Sequence, residues 1–286
     1  MTETARKASP APPQQRVATS HRSLPSPVRI GLSRVVPELK MFYRRPEQMV
    51  LTFSLPAVIC ILLGSIFSKR LPNTETSTGA VIAASMLAYG ILSTSFINLG
   101  ISIAADRDTG ALRRLRGTPT TALSYFVGKI FLVAIVSLAE AVVLIAVGLL
   151  FFQLHLPTTL FGWFTMAWVF LLGTVSCSLL GIFISNLASN AVAAAVVTNG
   201  PAVGLQFVSG TYVPLMVLPT WMLVVGSFFP VKWMAQGFRS VLLPPKMAAF
   251  EPAGNWEHWH IFFVLAAWAV GGLAACLAVF RWSDKT

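Results

Sequence analysis

The chain has 286 residues, of which 55% are hydrophobic and only 11% carry a charge; a soluble globular domain carries about a quarter. The formal net charge is +11, yet the basic residues flank long apolar runs and do not interleave with aromatic ones, which speaks against nucleic acid as a partner and for the charge rule of membrane topology. Cys60, Cys177 and Cys276 all fall inside apolar runs, and three cysteines without close spacing speak against a disulfide framework or a zinc site.

In chain order, residues 1–27 are rich in Pro, Ser, Gln and Arg, the composition of a disordered basic tail. The first apolar run starts near Met49, too deep for a cleavable signal peptide. Residues 28–43 place Val28, Leu32, Val35, Val36, Leu39, Phe42 and Tyr43 at helical spacing, with Arg29, Arg34, Lys40 and Arg44 on another face. That pattern predicts a basic amphipathic helix in the membrane interface, bent or restarted at Pro37. Six runs then have the length and apolarity of membrane spans: 49–67, 80–103, 125–152, 160–185, 191–208 and 261–280. Between the last two, residues 215–229 are apolar but too short to cross and interrupted by Pro219, which predicts a re-entrant or interfacial helical segment forming a cap on the outer face. Trp221, Trp233, Trp256 and Trp259 suit the headgroup level there. With both termini inside, 15 of the 21 basic residues are cytoplasmic, so the positive-inside rule puts both ends of the chain in the cytoplasm. The expected fold is therefore an all-α integral membrane protein: a tail over 1–27, then one transmembrane domain over 28–286.

The loop between spans two and three, residues 104–119, carries the strongest pattern. Asp106 and Asp108 come early and Arg113, Arg114 and Arg116 late, which complements the dipole of a helix over 106–116. Gly117 and Pro119 supply its stop. Ala111, Leu112 and Leu115 form a short apolar stripe. A capped, charged helix of this kind can dock a soluble partner, or it can be an ordinary positive-inside loop; composition leaves both open.

The same loop resembles the coupling region of type-2 ABC transporter permeases. Asp106, Arg107, Gly110, Leu112, Arg113, Leu115 and Pro119 match positions of that pattern, with Asp at 106 or 108 where the family usually has Glu. A second match lies outside: the Ser209 to Pro214 stretch with Gly210 and Pro214, then Leu218-Pro219 and Trp221, then Phe229-Pro230 followed by Gly237 and Arg239. Phe229 stands where the family usually has Asn. A third is Arg44-Arg45-Pro46 before span one, with Pro56 inside it. The resemblance, over roughly residues 30 to 282, is nearest to drug and small-lipid exporters of the daunorubicin type. It implies a bacterial cytoplasmic-membrane permease that pairs with a second permease half, identical or a sister, and with a separate nucleotide-binding ATPase subunit. The segment Asp106, Arg107, Asp108, Gly110, Leu112, Arg113, Arg114, Leu115 and Pro119 would couple to that subunit. The phosphate-binding loop of an ATPase is not found in the sequence: Gly128-Lys129 lacks the upstream Gly and the following Ser or Thr. ATP chemistry then belongs to another polypeptide, and the chain is neither an enzyme nor a cofactor protein on this reading.

Several polar residues fall inside the spans. Lys129, near the cytoplasmic start of span three, is expected to snorkel to the interface. Glu140 lies near the middle of the same span, where a carboxylate is expensive and faces the protein interior, a cavity or a partner. Asn98, Glu140, Asn199 and Gln206 are therefore the candidates for a pathway or a dimer seam, a purely structural role remaining open for each. Gly200 and Gly204 form a G-x-x-x-G, a helix-packing motif. His155, His258 and His260 show no ligand spacing for a metal. Three functions fit these features: export of an amphipathic drug or lipid, export of a polysaccharide or lipid-linked glycan, and a non-transporting scaffold or peptide-immunity subunit.

Overall fold

The computed structural model describes residues 26–72, 74–117 and 121–279; most of the expected tail, Pro119, Arg281 and Lys285 lie outside them. The described chain is helical throughout, and its extended pairing is limited to one isolated bridge, between Arg70 and Ser77. Among the described residues, six helical stretches are long and apolar enough to span a bilayer.

Helix α1 (Pro27–Tyr43) opens at Ser26, whose Oγ accepts the Arg29 N–H at 3.4 Å, with Pro27 in the first turn. Pro37 does not divide it. The expected single apolar face is in fact two. Gly31, Arg34, Val35, Glu38 and Phe42 turn toward the bundle, while Val28, Leu32, Val36 and Tyr43 are exposed. The inner face rests on α6 (Ala122–Phe152), where Gly31 and Gly128 let the two backbones touch: a Cβ on Gly128 would stand 2.8 Å from the Gly31 carbonyl oxygen. This close approach, available only to residues without side chains, is what holds α1 against the bundle.

Span one is α2 (Pro46–Ile66), continuous through Pro56. Span two runs unbroken from Thr78 to Asp108 as α3 (Thr78–Leu92), a π-helical turn (Ser93–Asn98) and α4 (Leu99–Asp108). Its apolar window is 83% buried, against 22% for α2, for α8 (Ala191–Val208) and for α11 (His258–Val279). Span two is thus the hub, and those three expose most of their surface as a membrane face would. At 31 residues each, span two and α6 rise about 46 Å, well beyond the roughly 30 Å hydrocarbon core. α5 (Ala111–Arg116) lies between the end of α4 and the start of α6. Span four is α7 (Leu160–Ser185), capped by Thr159, whose Oγ1 accepts from Gly162 N at 3.1 Å. The span over 191–208 is a regular helix capped by Asn190.

The segment between the last two spans is helical, as expected. A 3-10 turn (Leu215–Val217) leads into α9 (Thr220–Phe228) and α10 (Pro230–Leu242), followed by a second 3-10 turn (Pro245–Phe250). Pro230 ends one helix and starts the next because it cannot donate to the turn before it. α10 packs on α3, α7 and α11 and is almost wholly buried. Its register places Met234 on Gly173 and Gly237 on Val169, so it runs antiparallel to α7. The turn at Phe229 stacks on Trp268, ten residues into α11. Trp233 is accordingly no headgroup anchor: it is 7% exposed and its indole N–H donates to the Ser227 carbonyl at 2.7 Å. Trp221 and Trp259 are exposed.

Candidate functional site

The expected helix over 106–116 is two helices. α4 ends at Asp108, Gly110 turns the chain with φ 71°, and α5 begins at Ala111. Asp106 and Asp108 therefore sit at the C-terminal end of a helix, where the dipole disfavours them, and other contacts offset that cost. Asp106 Oδ2 receives the Lys129 ammonium at 3.0 Å and the Tyr125 hydroxyl at 3.0 Å. Lys129 also pairs with Glu38 of α1 at 2.9 Å. It is 5% exposed, so it does not snorkel; it is the centre of a buried ionic triad joining α1, α4 and α6. Arg107, 6% exposed, donates to the carbonyls of Ser185 at 3.0 Å and Ala188 at 3.3 Å and to Asn186 Oδ1 at 3.3 Å. It covers the otherwise open carbonyl end of α7. Asp108 Oδ2 accepts the first amide of α8, Ala191 N, at 2.7 Å, where a carboxylate complements the helix dipole. Three consecutive side chains thus hold α1 with α6, the end of α7 and the start of α8.

α5 hangs directly below this knot. Leu112 is fully buried and Leu115 packs beside it, against Leu99, Ile103, Tyr125 and Phe126. Arg113 and Arg114 are exposed, and Arg114 leans back on the Thr109 carbonyl at 3.5 Å. The helix is anchored by its leucines and presents its arginines.

Above the knot a cavity of about 390 Å³ lies between α1, α2, the π-helical turn, α4 and α6. Asp106 and Lys129 form its base, Asn98 and Ser102 give it a polar wall, Leu132 and Val136 an apolar one, and Thr94 closes its upper end. Thr94 Oγ1 donates to Glu140 Oε2 at 2.6 Å. Glu140 is 1% exposed, and its Oε1 has no hydrogen-bond partner among the described residues. Gly90 makes room for it: a Cβ there would stand 2.9 Å from the Glu140 carboxyl carbon. The π-helical turn that brings Thr94 into reach has no signature in the sequence; such turns concentrate at functional sites.

The four intramembrane candidates do not converge. Asn98 lines the cavity and Glu140 backs its upper end. Asn199 is exposed on α8, bonded to the Ala195 carbonyl at 2.7 Å. Gln206 is buried on the same helix. Gly200 and Gly204 meet no atom of the described chain within 4 Å of a built Cβ, so their motif packs no helix within this chain.

In the outer segment Gly210 takes φ 75°, Pro214 is buried, Pro219 and Pro230 open α9 and α10, and Trp221 faces outward. Arg239 differs in kind. It is 2% exposed and holds Glu251 through two bonds, at 2.6 and 2.9 Å, with Ser85 of α3 at 3.0 Å. Neither Glu251 nor Glu38 was singled out from the sequence. Glu38 was visible there as the one acid among the basic residues of α1; Glu251, in an irregular segment twelve residues after Arg239, gave no periodic signal.

No curated protein matches the chain. A family model described as ABC-2 type transporter matches residues 35–243, from the bundle-facing side of α1 through the end of α10. That stretch holds the ionic triad, α5, the cavity, Glu140 and Arg239, and by it the chain belongs to the ABC-2 type transporter family.

Proposed function

We propose that the chain is the permease half of an exporter that moves an amphipathic small molecule, a drug or a lipid, out across a bacterial cytoplasmic membrane. Membrane domains of this family are not themselves catalytic and pair with an ATP-binding subunit in a membrane complex. In this reading residues 28–286 form one transmembrane domain with both termini in the cytoplasm and a daunorubicin-type drug exporter as its nearest kin. A second permease half, identical or a sister, completes the pathway.

The observation that carries the reading is the knot above α5. A subunit that grips Arg113 and Arg114 pulls on a helix that begins five residues after Asp106. Asp106, Arg107 and Asp108 pass that displacement to α1, α6, α7 and α8 at once, because each bond is buried or caps a helix end. Opening the triad loosens the base of the cavity; Asn98 and Ser102 line the way up from there, and Glu140 backs its upper end behind Thr94. The cavity's mixed polar and apolar walls suit an amphipathic cargo. The hairpin of α9 and α10, pinned by Arg239 and Glu251, forms the outer end of the route.

The test is transport in inverted membrane vesicles from cells that make the chain and its ATPase together. A fluorescent amphipathic amine should accumulate only with ATP and only when both proteins are present. Accumulation without the ATPase, or of a lipid-linked sugar in place of the amine, would overturn the reading.

A further inference from the structure

A second concavity lies away from the triad and the cavity. At the opposite end of the bundle from α5, where α7 and α11 both begin, a crevice of about 790 Å³ opens between the two helices. Its walls are aromatic: Phe161, Phe164 and Trp168 from α7, Trp259 and Phe262 from α11, and Trp256 before it. Trp168 and Phe262 meet edge to face at 5.9 Å. Among the lining residues only Glu257 carries a fixed charge. Its side chain is 19% exposed and makes only long contacts, to His260 Nδ1 at 3.4 Å and Gln236 Nε2 at 3.4 Å. Lys232 gives its ammonium to Ser227 Oγ and to the Trp233 ring. One more group is unanswered: Thr165 is fully buried, lines the crevice, and its Oγ1 has no hydrogen-bond partner among the described residues.

A carboxylate with loosely held oxygens, set in a wall of aromatic faces, is the environment that attracts an organic cation, through charge and through the ring quadrupoles together. Lys232 and His260 already offset part of the Glu257 charge, but neither holds its oxygens at short range. A neutral sugar would gain nothing from the carboxylate's charge or from the ring quadrupoles acting on a cation.

We infer that this crevice is a binding site for an alkylammonium group on an apolar body, separate from the transport cavity, with Glu257 as its counter-ion. The ammonium sits between Glu257 and the indole faces of Trp256 and Trp259, and Thr165 donates to a polar atom of the ligand deeper in. The same chemistry is offered by the ethanolamine headgroup of a phospholipid and by a soluble cationic amphiphile. The inference stands whether or not the exporter reading does.

The test uses the full chain in uncharged maltoside micelles, titrated with benzyltrimethylammonium and read by tryptophan fluorescence and saturation-transfer NMR. Saturable binding is expected, weakened at least tenfold in E257Q and in W259L. Trp259 is 75% exposed, so W259L keeps the packing intact should E257Q fail to fold. The uncharged isostere neopentylbenzene should not displace the probe. Displacement by added ethanolamine phospholipid identifies the membrane as the source of the ligand; no displacement identifies a soluble cation. Equal displacement by the isostere, or full binding in W259L, overturns the site.

Discussion

Lys129 and Glu140 stand about three turns apart on one helix, and the difference between them is set by their neighbours. Lys129 has two carboxylates within 3.0 Å, so its charge is met inside the protein. Removing one member of a buried ionic group leaves the others unpaired and costs about 3–5 kcal/mol. K129M should therefore lower the unfolding midpoint in detergent by several degrees, and the triple variant E38Q/D106N/K129M should recover most of the loss. A triple variant less stable than K129M would contradict the triad. Glu140 has one donor and one open oxygen. E140Q keeps an acceptor for Thr94, so folding should survive while transport of a cationic cargo falls about tenfold and that of a neutral analogue holds; equal loss for both would make Glu140 structural. Both residues were visible in the sequence as polar groups at membrane depth. Their partners were not, because Glu38 and Asp106 lie on other helices and Thr94 comes into reach only through a π-helical turn, which single-sequence periodicity does not register.

At the scale of elements, the spans over 160–185 and 191–208 keep the boundaries read from hydropathy, since Thr159 and Asn190 cap them for a local reason. Where an element's limits depend on tertiary contact, the sequence misled. The continuous helix expected over 106–116 ignored Gly110, whose φ of 71° ends α4 and starts α5. Its two aspartates serve neighbouring helices rather than their own dipole. α10 lies beyond the apolar segment read over 215–229, and it is buried because α3, α7 and α11 surround it and Arg239 finds Glu251. Gly110 gives this scale its test. A Cβ there meets nothing within 4 Å, so G110A adds only the cost of a left-handed backbone, about 1–2 kcal/mol. Far-UV circular dichroism should be unchanged while ATP-driven transport drops; unchanged transport would mean that the angle between α4 and α5 is immaterial.

For the molecule as a whole, charge bias and helix length predict that α5 and α9 lie on opposite sides of the membrane. The three native cysteines are buried, so labelling with a membrane-impermeant maleimide should start from a low background. Trp221→Cys should label from outside intact cells and Arg113→Cys only after the membrane is opened. Labelling of both from one side would contradict the topology. The overall class was legible because hydropathy acts segment by segment. The arrangement that gives the class its use was not: a hub span, a knot of three side chains at its end and a helix hung beneath it depend on contacts between residues far apart in sequence, 83 positions for Asp108 and Ala191 and 154 for Ser85 and Arg239.

The central claim is that Arg113 and Arg114 on α5 grip the ATPase that drives the protein. The most direct measurement is co-purification of that subunit with the tagged chain from mild-detergent membranes, for the native sequence and for R113E/R114E. The account predicts a stoichiometric ATPase with the native chain and its loss from the charge-reversed one, with the unfolding midpoint unmoved because both side chains are exposed. An ATPase retained at full stoichiometry by R113E/R114E would contradict it.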